Sequence, residues 1–430
     1  MTSSIIDYLE LAAINRTVFN LLKFFIPSGR IDNYANWQLN GRLDVVTNCR
    51  VATPVLGAGP TKDYAASGVQ NSVQFNGERR LILRPPSLSA LTTAETADIN
   101  AIDGLSDLDP NKDIPGYPGH DKVLIAACDA GSGVTPNVLY SVNGGGAWAA
   151  FGADPFSADE HIKAVAVQFI TPTQYRIVVL RDTADAANPP EIAYANITLG
   201  DESSSPTWNA VNVGSTNNDA GEALLWHTLL FNRLYVAAGG DIFVSTNQGE
   251  SFATAIYTGS TVINKFTVDE DENVWAVGAS NLILREKSES RGTFETLVGP
   301  SGGGAMTAVA VADDGTVFVG NGTSLYRSGN AAASTGGWTA VKDFGTNHVV
   351  KEIHCIANNS QLLKVVVSDT SGNEGDVWYS LDGGTVFKEV TNLTNSGYNA
   401  AYFSEVDPNF AVIVGEDNGS TGVIHKLGTV

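Results

Sequence analysis

Cysteine is scarce in this 430-residue chain: Cys49, Cys128 and Cys355 make an odd count with no CxxC pair, which excludes a disulfide-built scaffold and a structural zinc site. Cys128 and Cys355 fall in apolar strand-like runs and read as buried free thiols. Basic residues are scarce too, 25 Lys and Arg against 46 Asp and Glu, for a formal net charge of -21. Gripping a phosphate backbone requires concentrated positive charge, so nucleic acid is not an expected partner. No apolar run approaches the roughly 20 residues that span a bilayer, so no membrane span is expected. A basic n-region is missing before the apolar stretches of the first 30 residues, and Asp7, Glu10, Arg16 and Lys23 interrupt them. That argues against a signal peptide and for a protein made in the cytoplasm.

What is present points to an all-β chain. The 44 glycines, frequent Asn, Thr, Ser and Asp, and a charged fraction of only 17% describe many short strands and tight turns. A hydrophobic fraction of 43% supplies ample core. The one convincing helical signal lies at the start, where Ser4 is placed to cap and Asp7 follows three residues on. Residues 1–40 are therefore expected to form a helical extension that docks on a protein partner or a sister subunit.

From about residue 120 the chain repeats. Ser141-Val-Asn143-Gly-Gly145-Gly-Ala-Trp148, Ser245-Thr-Asn247-Gln-Gly249-Glu-Ser-Phe252 and Ser380-Leu-Asp382-Gly-Gly384-Thr-Val-Phe387 share one pattern: Ser, Asp or Asn two on, Gly two further, and an aromatic three after that. The side-chain oxygen of Asp or Asn suits its own tight turn, Gly the positive φ there, and the aromatic an anchor on the neighbouring layer. Degenerate copies end at Trp208, Phe294 and Trp338. The closing aromatics at 148, 208, 252, 294, 338 and 387 are separated by 60, 44, 42, 44 and 49 residues, about the length of one propeller blade. Apolar second strands recur at Val123–Ala127, Tyr175–Leu180, Leu234–Ala238, Asn273–Val277, Thr316–Val319, Leu363–Val367 and Phe410–Val414, which makes seven units of four short strands.

These boxes resemble the Asp-box, or bacterial neuraminidase repeat, of sialidase-like propellers. The resemblance implies a seven-bladed β-propeller with Asp-box hairpins, the boxes lying on the face away from the usual ligand site. The last unit lacks an outermost strand and the first an obvious inner one. Closure is expected from the N-terminal region, where Arg42–Val46, Val73–Phe75 and Arg80–Leu83 are strand-like. The expected organisation is thus a helical extension at 1–40, N-terminal strands and a long acidic Pro- and Gly-rich loop at 41–121, and blades at 122–430. Six blades plus a small separate domain is the alternative, and residues 86–121 then read as a long connection.

The search for chemistry is mostly negative. Gly299-Pro-Ser301-Gly-Gly303 matches GxSxG but lies in a loop between strands, whereas a nucleophile elbow needs a strand before and a helix after. The six histidines show no metal-ligand spacing. A sialidase would need an Arg-Ile-Pro motif and three arginines clamping a carboxylate; the motif is missing, and Arg176, Arg181, Arg233, Arg285, Arg291 and Arg327 fall at unmatched positions. Acids that could form a glycosidase pair are plentiful between strands, among them Asp129, Asp182, Glu191, Asp369, Glu374, Asp376, Glu160 and Glu222, and no pair stands out by spacing. One calcium candidate remains: Asp107, Asp109, Asn111 and Asp113 put oxygen ligands at every second position, without the Gly and Glu that complete such a loop. No other cofactor is expected.

The expectation is therefore a non-enzymatic structural or interaction protein using a rigid propeller as an assembly platform, with a virion component such as a phage capsid-decoration or tail protein as its setting. Two alternatives stand beside it, a glycan-binding or glycan-cleaving sialidase-like propeller and a propeller like those that help to build photosystem II.

Overall fold

Seven apolar second strands, each bounded by turn residues, can bury both faces only if sheets stack on either side of them, and they do. The computed structural model describes residues 72–75, 78–81, 88–91, 98–105, 123–128, 137–157, 160–171, 173–182, 190–214, 220–227, 230, 232–302, 304–332, 337–355, 362–369, 374–394, 396–404, 410–417 and 421–427. The chain divides into two units, 1–85 and 86–430. In the first, β1 (Ser72–Phe75) and β2 (Glu78–Leu81) form an antiparallel hairpin. The helical extension expected at 1–40, the strand at Arg42–Val46 and the calcium candidate at 107–113 lie outside the described residues.

The second unit is a seven-bladed β-propeller. Its chain enters with β3 (Leu88–Leu91). Blade 1 holds β4 (Ile99–Gly104), β5 (Leu124–Cys128), β6 (Val138–Ser141) and β7 (Ala149–Ala150). Blade 2 holds β8 (His161–Thr171), β9 (Gln174–Asp182), β10 (Glu191–Thr198) and β11 (Asn209–Asn212), and blade 3 holds β12 (Gly221–Trp226), β13 (Leu234–Ala238) and β14 (Asp241–Ser245). Blade 4 is β15 (Ile263–Val268), β16 (Val274–Gly278), β17 (Ile283–Glu286) and β18 (Phe294–Leu297). Blade 5 is β19 (Met306–Val311), β20 (Val317–Asn321), β21 (Ser324–Ser328) and β22 (Thr339–Asp343). Blade 6 is β23 (His348–Cys355), β24 (Leu363–Asp369), β25 (Glu374–Ser380) and β26 (Lys388–Thr394). Blade 7 is β27 (Ser396–Phe403), β28 (Ala411–Asp417) and β29 (Thr421–Leu427), completed by β3, which pairs antiparallel with β29 from Leu88 opposite Leu427 to Leu91 opposite Ile424.

Closure therefore comes from the chain start, as the pattern implies, but from a different segment. Val73–Phe75 and Arg80–Leu81 pair with each other, and the stretch read as a connection at 86–121 supplies both the closing strand β3 and the missing inner strand β4. Blade 3 also departs from four strands: its outer edge is covered only at an isolated bridge between Ile242 and Tyr257.

The core is a series of apolar layers between blades. All five residues of β5, β13 and β16 are buried. At about 25 cal/mol per Å² of apolar surface these layers supply most of the cohesion between sheets that share no hydrogen-bond ladder. Among the described residues the only helical piece is a 3-10 turn at Ser288–Ser290, and no helix there is long and apolar enough to cross a membrane.

The three Ser-x-Asx-x-Gly turns follow the third strands of blades 1, 3 and 6 and share one geometry. The Ser Oγ accepts the Gly N–H at 2.8–2.9 Å in all three and donates to the Asx Oδ1. That Oδ1 in turn accepts the N–H four residues on, from Ala147, Ser251 and Val386. Gly145, Gly249 and Gly384 have φ of 76°, 87° and 83°, and a Cβ on each would press on the preceding blade, at Val412, Ile192 and Phe318. Trp148, Phe252 and Phe387 pack on the apolar layer shared with that same blade.

In blade 4 the register position of these serines holds Glu286, whose carboxylate accepts the Gly292 N–H in the serine's stead. Glu286 is fully buried and also takes bonds from the Tyr235 hydroxyl at 2.5 Å and from Arg291 at 3.3 Å. The degenerate copies anchor differently, Trp208 and Trp338 donating indole N–H groups to the carbonyls of Ala153 and Val298 in the preceding connections.

Candidate functional site

Each first strand of a propeller blade borders the central channel, so anything that re-aims a side chain there reaches the axis. All seven first strands carry a β-bulge near their start, after the first paired residue in blades 1, 3, 4 and 5, the second in blade 2 and the third in blades 6 and 7. The extra residues are Asn100, Lys163, Glu222, Asn264, Thr307, Lys351 and Asn399, each leaving its two neighbours opposite adjacent residues of the second strand. All seven line one cavity of about 510 Å³ at that end of the channel.

The bulge side chains also clasp blade to blade. Asn399 donates to the Ile99 carbonyl, Asn100 to Ile162, Asn264 to Met306 at 2.7 Å and Thr307 to Val350 at 2.5 Å, in each case the carbonyl just before the next blade's bulge. Between blades 2 and 3 an ion pair, Lys163 to Glu222 at 3.7 Å, stands where those four junctions have a hydrogen bond.

The residue after the bulge is alanine in five blades: Ala101, Ala164, Ala223, Ala308 and Ala400. Blades 4 and 6 have Lys265 and Glu352 instead, and these meet at 2.6 Å in the cavity. Further in, Asp103 of β4 accepts the N–H groups of Gly104 and of Val167 in the next blade, both at 2.8 Å. Desolvation pushes its carboxyl up to about 7, against the pull of those N–H groups and of Lys265. Beside Val167 lies Gln168, only 6% exposed, whose carboxamide lines the same cavity and makes no hydrogen bond with a described residue.

Because strands alternate in direction, the bulge mouth and the Ser-x-Asx-x-Gly turns lie on opposite faces. Of the described acids weighed as a glycosidase pair, only Glu222 lines this cavity. Glu160 and Glu191 lie 2.6 Å and 3.8 Å from Arg181, and burial raises the Glu191 carboxyl above its ordinary range. Asp376 is pushed up to about 6 by burial and by Glu389, with His348 at 4.0 Å.

The six arginines do not converge. Arg176 and Arg327 donate to the carbonyls of Gln248 and Gly383, the same position in two of the Ser-x-Asx-x-Gly turns, each reaching from the preceding blade. Arg285 pairs with Glu295, Arg291 with Glu286 and Glu272, and Arg233 bonds the Tyr235 hydroxyl. Among the described residues no cluster of His, Cys, Asp and Glu is arranged to hold a metal ion.

The sequence reading missed the bulge ring, Lys265, Glu352, Asp103 and Gln168. A signal for the ring exists: a polar residue directly after a buried one near the start of every unit, legible only once the seven first strands are aligned.

No protein-family profile matches the chain, and no curated protein matches it in sequence. Among solved structures it is similar to YCF48 bound to D1 peptide, at 14% identity and a TM-score of 0.55 over 81% of this chain and 99% of that one. It is similar also to a catalytically inactive virginiamycin B lyase from Staphylococcus aureus with quinupristin, at 13% identity and a TM-score of 0.56 over 80% and 99%. A third is RRP9 WD40 repeats, at 11% identity and 0.55 over 80% and 99%. At these identities the likeness establishes the fold, a seven-bladed propeller.

Proposed function

We propose that the chain is a non-enzymatic interaction module, a rigid ring that presents the bulge-lined channel mouth to a protein partner. The observation that carries this reading is how the charged groups are used. All six arginines brace blades, turns or carboxylates, so no carboxylate clamp of the sialidase kind is assembled from them. The cavity holds amides, a hydroxyl and paired charges, a donor and acceptor ring suited to recognition. Neighbours of the same fold are consistent with this use: one was solved with a D1 peptide, another is a set of WD40 repeats.

The finer assignments are ours as well. The turn geometry supports kinship with Asp-box propellers, and the low basic content without cysteine pairing supports an assembly setting such as a virion. Residues 1–40 are assigned to docking on a partner or sister subunit.

The test is to offer the full chain, side by side, a displayed peptide library, a glycan array and chromogenic glycosides. Enrichment of peptides that Glu222→Lys abolishes supports the reading; glycan binding alone, or glycoside turnover, overturns it. Light scattering of the full chain and of Leu9→Asp tests the docking assignment. A discrete oligomer lost on substitution supports it, and equal masses remove it.

A further inference from the structure

Taking the channel as the partner site just proposed, one observation identifies what enters it. At its inner level two polar groups from adjacent blades face the cavity with bonding capacity unused. The Asp103 oxygens accept one N–H each, which leaves each a further lone pair. Gln168, nine-tenths buried, has a carboxamide with no hydrogen-bond partner among the described residues. A carboxylate beside an amide oxygen is a receptor for a hydrogen-bond donor that carries positive charge.

Three further features fit a cation. Lys265, the one ammonium reaching toward Asp103, is held instead at 2.6 Å by Glu352, on the mouth side of Asp103. The described connections on the mouth face carry Asp98, Asp154 and Glu160 and no lysine or arginine. The whole chain has a net charge of -21, which steers basic partners toward it. The post-bulge Ala101, Ala164, Ala223 and Ala400 put nothing larger than a methyl group on the cavity lining.

We propose that the channel receives a lysine or arginine side chain from a basic segment of a partner protein, its charged end lying between the Asp103 carboxylate and the Gln168 carboxamide. Entering, it passes the Lys265–Glu352 pair and competes with Lys265 for the Asp103 carboxylate. Lys265 is thereby a built-in mimic of the ligand, and its removal strengthens binding.

The experiment is calorimetric titration of the full chain with blocked pentapeptides Gly-Ser-X-Ser-Gly in which X is Arg, Lys, norleucine or Glu, and with spermine. The expected result is binding of the Arg and Lys peptides at least about tenfold tighter than the norleucine and Glu peptides, the difference a charge-assisted bond confers. Asp103→Asn, which keeps an acceptor for one of the two N–H groups, and Gln168→Leu each erase that preference, while Lys265→Met tightens the Arg peptide. Thermal melting of each variant shows whether it is folded, and the gain in Lys265→Met is a readout that misfolding cannot imitate.

An Arg preference that survives in both Asp103→Asn and Gln168→Leu overturns the proposal, because the acidic rim alone then accounts for it. Spermine binding as tightly as the peptides with the same Asp103 dependence replaces the partner segment by a small amine, and overturns it likewise. Library peptides that bind the mouth without preference for charge remove the cationic occupant and leave the interaction module standing. Glycan binding with no peptide binding removes both.

Discussion

Lys265 of blade 4 and Glu352 of blade 6 join across the front of blade 5, Nζ to Oε2 at 2.6 Å, at the one register position where every other blade has alanine. The pair bridges two sheets that are not neighbours in the ring. Side-chain exposures of 34% and 12% put it in partial contact with water.

That position predicts a modest coupling. A double-mutant cycle of Lys265→Met and Glu352→Gln, followed by urea denaturation, is expected to give about 0.5–1 kcal/mol, as for partly solvated pairs, and less at high salt. A coupling near zero would show that the two meet without bracing the ring.

Glu286 is a different case. Its carboxylate is fully buried and bonded to Tyr235, Arg291 and the Gly292 N–H, so Glu286→Ala takes the acceptor from the buried Tyr235 hydroxyl and the Gly292 N–H at once and leaves the half-buried Arg291 with Glu272 as its carboxylate partner. A loss of about 3–5 kcal/mol is expected from the urea midpoint at unchanged m-value. Glu286→Gln, which keeps an acceptor oxygen, is expected to lose less.

Two glycines separate backbone strain from crowding. Gly249 and Gly292 have φ of 87° and 85°, but a Cβ on Gly249 meets Leu234 and Ile192 at 3.1 and 3.2 Å, whereas on Gly292 it meets nothing within 4 Å. Both Ala substitutions bear the left-handed cost of roughly 1–2 kcal/mol. Gly249→Ala is expected to destabilise further, by pushing blades 2 and 3 apart, and the two denaturation midpoints measure the difference.

Asp103 makes stability depend on pH. Its folded carboxyl is raised from 3.8 to about 7, so between those values the folded state holds a proton that the unfolded state has released. Stability therefore falls as pH rises through that window, and the full penalty is present above about 7. Asp103→Asn, which has no carboxyl to titrate but gives up the acceptor for one N–H, is expected to lose the fall between pH 4 and 7, so that its stability relative to the parent rises across that window. Denaturation midpoints across that range check it; a parallel pair of curves would place the Asp103 proton elsewhere.

The parts of this fold that were legible in sequence are those whose burial leaves no freedom of composition. Leu234–Ala238 and Val274–Gly278 are buried along their whole length, so they read as apolar runs between turns. The Ser-x-Asx-x-Gly turns were legible because their own atoms close them, with no partner needed from elsewhere. β4 was not: Ile99–Gly104 spends Asn100 and Asp103 on neighbouring blades and sits amid turn-rich sequence. The closing strand was misplaced because Val73–Phe75 is the more strand-like segment, yet it pairs locally with β2. The channel site was hidden for a related reason. Its residues are scattered from Asn100 to Asn399, and only the ring brings them together.

The seven bulges set apart one residue per blade from the pleat that surrounds it. Exchanging Thr307 for an asparagine or Lys163 for a glutamine alters what the mouth displays without changing which face any neighbour buries. The ring thus behaves as a seven-letter word in which four letters also bind one blade to the next, and a change there must keep a donor for the neighbouring carbonyl. New partners are then reachable by single substitutions, each folding on the same frame.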